Sequence, residues 1–139
     1  NNKKGERSTD IKRDLKKTMQ EDFSVFRKQE IMEAGIKKLE ACQQRLKNAY
    51  LEDHSRVFNL ARIEALELDN LMEVALATAY SALMRQESRG AHSREDYPKR
   101  DDINWLTHLL CFKDHTILRR PVNMTPLTME GFVPKERTY

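Results

Sequence analysis

The sequence has 139 residues, of which 39% are hydrophobic and 34% are charged, and its 25 basic and 22 acidic residues give a formal net charge of +3. Charges of both signs are interspersed along the chain, which is typical of a solvated surface and excludes the basic stripe of a nucleic-acid-binding protein. No apolar run approaches the roughly 18 residues of a membrane span, and no secretory signal is visible.

The beginning of the chain is polar and does not start with Met, which fits a fragment or a processed form with a linker over residues 1–8. Ser8, Thr9 or Asp10 can cap a first helix, because each offers a side-chain oxygen to unpaired backbone amides. The apolar residues that follow recur every fourth position and predict one helical face: Ile11, Leu15, Met19 and Phe23.

A second helix is predicted from about Gln29 to Asn48, because apolar residues again recur at helical spacing. Its apolar stripe comprises Ile31, Met32, Ile36, Leu39, Cys42 and Leu46. Gly35 lies beside this stripe, where the missing side chain allows another helix to come close. Residues 51–57 are polar and predict a turn.

A third, longer helix is predicted from about Phe58 to Gln86. Its apolar residues are Leu60, Ile63, Leu66, Leu68, Leu71, Met72, Leu76, Tyr80 and Leu83. Small residues are dense near its end: Ala75, Ala77, Ala79, Ser81 and Ala82. A helix that is apolar or small on several faces is usually covered on several faces. We therefore expect its C-terminal half to contact more than two partner helices, and the extra partner could lie outside this chain.

A polar segment follows, because Gly90 ends the helical pattern and residues 87–104 are almost wholly polar. Such a segment is unusual in a compact domain unless it functions or lies on a partner. After it, residues 105–112 and 117–122 are β-prone runs separated by four polar residues, which predicts a hairpin. The tail contains Pro121, Pro126 and Pro134 and should be extended or looped.

The predicted fold is therefore mainly α: an antiparallel three-helix bundle with a long polar arm and a small C-terminal β-hairpin. We assign residues 1–8 to a linker, 9–88 to the three-helix bundle, 89–104 to a charged docking arm, and 105–139 to the hairpin and an extended tail. The low content of glycine and proline, four of each, agrees with long helices.

Motifs for self-sufficient chemistry are missing from the sequence. The four glycines are too far apart for the glycine-rich turn that holds a dinucleotide. No His has Glu three positions before it, as a di-iron bundle requires. Cys42 and Cys111 lie 69 positions apart in no ligand pattern, and we interpret both as buried, reduced thiols. We predict no catalytic, cofactor-binding or metal-binding residue in this chain.

One cluster of cationic side chains surrounds Gly90. It could bind a carboxylate or a phosphate, but its members can equally pair with acidic residues of the same segment, and we favour docking or structural pairing. Trp105, at the edge of a β-prone run, is more typical of packing than of a ligand platform. The docking or structural candidates are Arg85, Arg89, Gly90, His92, Arg94 and Trp105.

The segment 87–102, with the sequence ESRGAHSREDYPKRDD, and the Asn-Trp-Leu of residues 104–106 closely resemble the C-terminal part of succinate dehydrogenase and fumarate reductase flavoproteins. Residues 22–27, 66–72, 119–124 and 137–139 also resemble this family, in the same order along the chain. The resemblance covers roughly residues 10–139.

The resemblance implies a parent enzyme that oxidises succinate to fumarate and passes electrons from covalently attached FAD to an iron–sulfur subunit and then to quinone. In this family the flavin-binding and substrate-binding residues lie upstream of the region that the chain resembles. The segment is then expected to be inactive alone and to act as a structural part that contacts the upstream flavin-binding domain and the iron–sulfur subunit, and indirectly the membrane-anchor subunits. The expected location is the cytoplasmic face of the bacterial inner membrane, or the matrix side in mitochondria.

Residues 122–124 and the Arg-Thr-Tyr ending favour succinate dehydrogenase within this family. A fumarate reductase flavoprotein shares the arm, and L-aspartate oxidase shares a helical C-terminal region and the Glu-Ser-Arg-Gly motif. The resemblance to L-aspartate oxidase is weaker past Pro98. A free-standing helical interaction module is the alternative from another functional class.

Overall fold

Three helices are the main elements of the computed structural model, which describes residues 5–135. They are α1 (Ser8–Asp22), α2 (Gln29–Leu46) and α3 (Leu60–Met84). Six short strands accompany them: β1 (Glu6–Arg7), β2 (Phe26–Arg27), β3 (Ala49–Tyr50), β4 (Ser93–Arg94), β5 (Thr107–Cys111) and β6 (Ile117–Pro121). The prediction of a mainly helical fold with a small β part is confirmed, while the resemblance at residues 137–139 lies outside the described residues.

The hydrophobic core lies between the three helices, each of which packs against the other two. It contains the apolar stripes that the sequence predicted for α1 and α2, except Ile31, together with the inner face of α3. The prediction is wrong for Ile31, whose side chain is exposed. The large apolar residues of the core that are buried most completely are Ile11, Leu15, Met32, Leu39, Leu68, Met72 and Leu76. In the described part of the chain, no helix is both long and apolar enough to span a bilayer.

The start of α1 differs from the sequence prediction. Arg7 precedes the helix and makes no capping hydrogen bond through its side chain, while Ser8 already lies in the helix. The prediction of a cap at Ser8, Thr9 or Asp10 is therefore wrong. Glu6 and Arg7 also pair in parallel with β3, so this part of the predicted linker is anchored by backbone pairing with a segment more than 40 positions away.

The contact between α1 and α2 requires Gly35, as the sequence predicted. A Cβ at this position would lie 2.5 Å from Cε2 of Phe23 and 2.7 Å from Cβ of Asp22. Both distances are below any van der Waals contact, so only glycine allows the end of α1 to approach α2 this closely. Asp22 is buried there and accepts a hydrogen bond of 2.8 Å from Nζ of Lys38 on α2.

The long helix α3 begins later and ends earlier than predicted. Asn59 caps it by accepting a hydrogen bond of 2.8 Å from the backbone N–H of Arg62. The C-terminal half packs against the other helices, the segment after it and β5, so its additional contacts come from this chain, although Val74 stays exposed. Most of the exposed apolar side chains lie instead on and just before the N-terminal half: Val57, Phe58, Leu60, Ile63 and Leu66.

The C-terminal hairpin pairs β5 and β6 in antiparallel register from Thr107 opposite Pro121 to Cys111 opposite Ile117. Its turn packs on α3, where the rings of His115 and Tyr80 stack with centroids 4.4 Å apart. Cys111 is only half-buried, so the prediction of a buried thiol is confirmed for Cys42 and wrong for Cys111.

Candidate functional site

The polar segment after α3 folds over the C-terminal end of that helix. Parallel pairing of β2 with β4 ties it to the connection between α1 and α2, and Nζ of Lys28 contacts Oε2 of Glu95 at 2.6 Å. The candidate cations therefore lie at a junction of three elements. Each of them has partners within the chain, as the following contacts describe.

Glu87 is the centre of the first group of contacts and is fully buried. Its Oε1 accepts hydrogen bonds from Nη1 of Arg85 at 2.6 Å and from Nε of Arg89 at 2.8 Å. Its Oε2 accepts one from the backbone N–H of Asp101 at 2.9 Å. Burial alone disfavours the carboxylate, but these donors together outweigh it, so the pKa of Glu87 lies below its ordinary value.

Arg94 is the centre of the second group, and its side chain is fully buried. Its Nε and Nη2 donate to the two carboxylate oxygens of Asp96 at 2.7 and 2.6 Å. Its Nη1 donates to the carbonyl oxygens of Leu83 at 3.0 Å and Arg85 at 3.2 Å. The guanidinium thus satisfies carbonyl groups that the end of α3 leaves unpaired.

Asp96 connects this pair to a second helix. Its Oδ2 also accepts a hydrogen bond of 3.1 Å from the backbone N–H of Gln29, the first residue of α2. The cation therefore lies at the negative end of α3 and the anion at the positive end of α2, which stabilises both helix dipoles. The hydrogen bond from Arg94 lowers the pKa of Asp96 to about 2.

Gly90 occupies a two-residue turn. The backbone N–H of Arg89 donates to the carbonyl of His92 at 2.8 Å, and the N–H of His92 donates back at 3.0 Å. Gly90 has a φ of 59°, a left-handed conformation in which glycine has no steric penalty. The turn thereby directs Arg89 back towards Glu87 and places His92 beside the end of α3.

His92 connects the turn to the connection between α1 and α2. Its Nε2 lies 3.1 Å from the carbonyl oxygen of Arg85, and its Nδ1 lies 2.7 Å from Nη1 of Arg27. Because a carbonyl only accepts and a guanidinium only donates, the ring is a neutral imidazole with its proton on Nε2. Burial and the neighbouring arginines lower the pKa of His92, in agreement with this neutral form.

Trp105 is buried and packs between two arginines. The guanidinium carbon of Arg119 lies 4.0 Å from the indole centroid, and that of Arg85 lies 5.6 Å from it. These distances are typical of cation–π contacts. The indole therefore joins the hairpin to the segment after α3.

The structure brings all six candidates together, and their roles in docking stay predictions. The sequence interpretation missed two contributors, which are Arg27 and the bond between Asp96 and the start of α2. Arg27 lies 65 positions from His92 in the sequence, and no local sequence pattern predicts such a contact. Glu87, by contrast, has arginines two positions away on both sides, which is a readable signal.

Metal binding receives no support from the described residues, where no group of three or more His, Cys, Asp or Glu side chains is placed to hold an ion. The glycines are also distributed without a flavin cradle: Gly35 packs on a phenylalanine ring and Gly90 forms a tight turn. Within residues 5–135, the glycines therefore provide no cradle that fits FAD.

Comparison with known proteins gives one family. The model described as "Fumarate reductase flavoprotein C-term" matches residues 12–139. A succinate dehydrogenase flavoprotein subunit of Coxiella burnetii is 56% identical over 127 residues, which cover 91% of this chain and 22% of that protein. A fumarate reductase flavoprotein subunit of Mycobacterium tuberculosis is 37% identical over 135 residues, which cover 97% of this chain and 23% of that protein.

A solved structure agrees with this result. A quinol fumarate reductase of E. coli superposes with a TM-score of 0.81 and 34% sequence identity, covering 95% of this chain and 23% of that one. The chain spans less than a quarter of the length of these relatives.

Proposed function

The chain belongs to the C-terminal family of fumarate reductase and succinate dehydrogenase flavoproteins, and from that premise we propose that it is the C-terminal structural domain of a succinate dehydrogenase. The observation that carries the proposal is the 56% identity to a succinate dehydrogenase flavoprotein subunit across nearly the whole chain. The complete enzyme then oxidises succinate to fumarate, with FAD held by the upstream region.

The structural role rests on how this chain uses its charged groups. Arg85, Arg89 and Arg94 bind carboxylates of the same segment, so they hold the fold rather than a substrate. The exposed apolar side chains around the start of α3 are then available for a neighbour. We assign that neighbour to the flavin-binding region upstream, because the relatives carry more than three quarters of their length outside the part that this chain matches.

The finer organisation is part of the same proposal. Residues 9–88 form an antiparallel bundle, residues 89–104 act as the docking arm, and residues 105–139 contribute the hairpin and tail. The parent subunit contacts the iron–sulfur subunit and, through it, the membrane-anchor subunits. Its location is the cytoplasmic face of the bacterial inner membrane, or the matrix side in mitochondria.

A fumarate reductase is the second candidate, since the match to the E. coli enzyme has a TM-score of 0.81. The identity of 37% to the fumarate reductase subunit of M. tuberculosis is lower than the 56% to the succinate dehydrogenase subunit. The ratio of succinate oxidation to fumarate reduction in the purified parent enzyme decides between the two candidates.

Succinate-dependent dye reduction tests the proposed function. The assay uses this chain alone, the upstream flavin-binding portion with FAD alone, and the two together. We expect activity above either component only for the mixture, and equal activity when the chain carries the exposed substitution Glu21→Gln. Dye reduction by the chain alone would contradict the proposal, as would full activity of the upstream portion without any binding of the chain.

A further inference from the structure

A groove of about 610 Å³ lies between the C-terminal half of α3, the turn around Gly90 and strand β5. Its polar wall includes Arg27, Arg85, His92 and His108, and its apolar wall includes Val74 and Leu109. No Asp or Glu lines it among the residues that the structure describes. The groove is therefore open to solvent, partly apolar and without negative charge of its own.

Arg27 distinguishes this groove from the rest of the junction. Its Nε donates to the carbonyl of Ser24 at 2.9 Å, its Nη2 to the carbonyl of Phe23 at 2.9 Å, and its Nη1 to His92. All of these acceptors are neutral. Within residues 5–135, no carboxylate pairs with this guanidinium, whereas Arg85, Arg89 and Arg94 each have at least one.

Arg27 also has N–H groups that make no hydrogen bond within the described residues. A guanidinium has five N–H groups, and the hydrogen bonds within the described residues use the one on Nε and one on each terminal nitrogen. One N–H on Nη1 and one on Nη2 thus remain for another acceptor. Burial lowers the pKa of Arg27 without any opposing anion, so a negative partner would be stabilising.

The neighbouring groups define the charge of that partner. Glu87 already neutralises part of the charge of Arg85, and His92 is a neutral imidazole whose Nδ1 accepts from Arg27. The groove therefore has one uncompensated positive charge. A carboxylate, with a single negative charge and two oxygens, matches it better than a phosphate, whose charge at neutral pH is higher.

We propose that the groove beside Arg27 is a binding site for a carboxylate whose short apolar stem lies along Val74 and Leu109. The carboxylate can belong to a small molecule or to an acidic side chain of the upstream region, and both present the same chemistry to the guanidinium. The site itself is a property of this chain alone, and only its occupation by an acidic side chain of the upstream region rests on the proposed function.

The test is an NMR titration of the purified chain with butyrate, observing the ring signals of His92 and the Nε–H of Arg27. Sodium chloride at equal ionic strength and inorganic phosphate serve as comparison ions. We expect saturable shifts with butyrate, with a dissociation constant on the order of millimolar, and a weaker response to phosphate. Shifts that do not saturate, or that chloride reproduces, would overturn the proposal.

Two variants locate the site. Arg27→Gln removes the cation, and Thr78→Asp places a carboxylate in the groove wall without touching the hydrogen bonds of Arg27. Each is expected to weaken butyrate binding by at least about tenfold, roughly the contribution of one charge-assisted hydrogen bond. Asn70→Asp adds the same charge to the same helix outside the groove and should bind butyrate as before. Binding that survives Thr78→Asp in a folded chain would place the anion elsewhere.

Competition identifies the source of the natural carboxylate. The upstream portion is added to the chain that is saturated with butyrate. Displacement of butyrate, seen as reversal of the His92 shift, assigns the site to an acidic side chain of that portion. Binding of the upstream portion without displacement assigns it to a free small carboxylate. A lack of any association between the two pieces contradicts the proposed function and leaves the butyrate result for the chain intact.

Discussion

Glu87 is the residue on which the folded arm depends most, because its fully buried carboxylate is shared by Arg85, Arg89 and the N–H of Asp101. Removing the negative charge leaves two guanidinium groups without their shared partner. We expect Glu87→Gln to lower the free energy of unfolding by about 3 kcal/mol, as for broken buried ion pairs. Urea unfolding followed by circular dichroism measures the change.

The matched control for this prediction is Glu21→Gln. Glu21 pairs with Lys17 at 3.8 Å on the surface of α1, where both side chains are more than half exposed. Such exposed pairs contribute about 0–1 kcal/mol, so the control should unfold almost like the unaltered chain. Equal losses for the two variants would show that the burial of Glu87 does not determine its contribution.

His92 makes the free energy of unfolding depend on pH in a range above that in which the carboxylates titrate. Its pKa in the folded chain is lowered from 6.5, so the unfolded chain takes up a proton first as the pH falls. The contribution of neutral His92 to the free energy of unfolding is therefore fully present above about pH 6.5. It decreases as the pH falls below that value towards the folded pKa. Carboxylates with a lowered pKa, such as Asp96, titrate only at lower pH.

The measurement is the free energy of unfolding in urea at pH 7.5 and 5.5. We expect a clear loss at the lower pH for the unaltered chain and for His108→Gln, which changes an exposed imidazole. His92→Gln should be less stable at both values but should lose less between them. An equal pH dependence in all three chains would show that the neutral form of His92 is not what the fold requires.

Single residues also show what the sequence could and could not predict of the candidate site. The cluster around Gly90 was visible because its members are close in sequence. The sequence also suggested pairing within the segment, because the segment carries acidic residues of its own. Arg27 was missed, because its contact with His92 depends on how the connection between α1 and α2 crosses the end of α3.

At the scale of the helices, Gly35 fixes how closely α1 approaches α2. Gly35→Ala gains about 1 kcal/mol in helix propensity, but its Cβ would meet Phe23 at 2.5 Å. Overpacking of this kind typically costs about 1–3 kcal/mol, so we expect a net loss of stability of up to about 2 kcal/mol, measured by thermal or urea unfolding. The double change Gly35→Ala with Phe23→Leu should recover part of it. A stabilised Gly35→Ala variant would contradict the contact.

The pair of Arg94 and Asp96 joins two helix ends and provides a second test at this scale. Asp96→Asn leaves the buried guanidinium uncompensated and removes the charge at the start of α2, so we expect a loss of about 2–3 kcal/mol. Glu95→Gln, which changes the adjacent exposed partner of Lys28, is the matched control and should cost under about 1 kcal/mol. Urea unfolding of both variants under the same conditions makes the comparison.

The helices were predictable from sequence and the two-residue strands were not. Apolar residues at helical spacing locate α1, α2 and α3 to within a few residues, because that spacing reflects burial within one element. The pairing of β1 with β3 and of β2 with β4 joins segments that are far apart in sequence. Strands this short have no periodicity of their own, and their pairing follows from the packing of the helices that flank them.

At the scale of the whole molecule, the distribution of exposed apolar side chains distinguishes the two halves of α3. The C-terminal half is largely covered by this chain, although Val74 is exposed, while Phe58 is 96% and Leu60 71% exposed. The sequence could not reveal this difference, because all of these positions share one apolar pattern. A structural domain that packs against the flavin-binding region accounts for the exposed half, since burying these side chains there would stabilise the association.

The most direct test of this account is hydroxyl-radical labelling of the chain alone and of the same segment within the full-length flavoprotein. We predict that labelling of Phe58, Leu60 and Ile63 falls several-fold in the full-length protein, because the flavin-binding region covers them. Met72, which is buried within the chain, should stay unlabelled in both samples and shows that the segment is folded. Equal labelling of the three side chains in both samples would contradict the docking account.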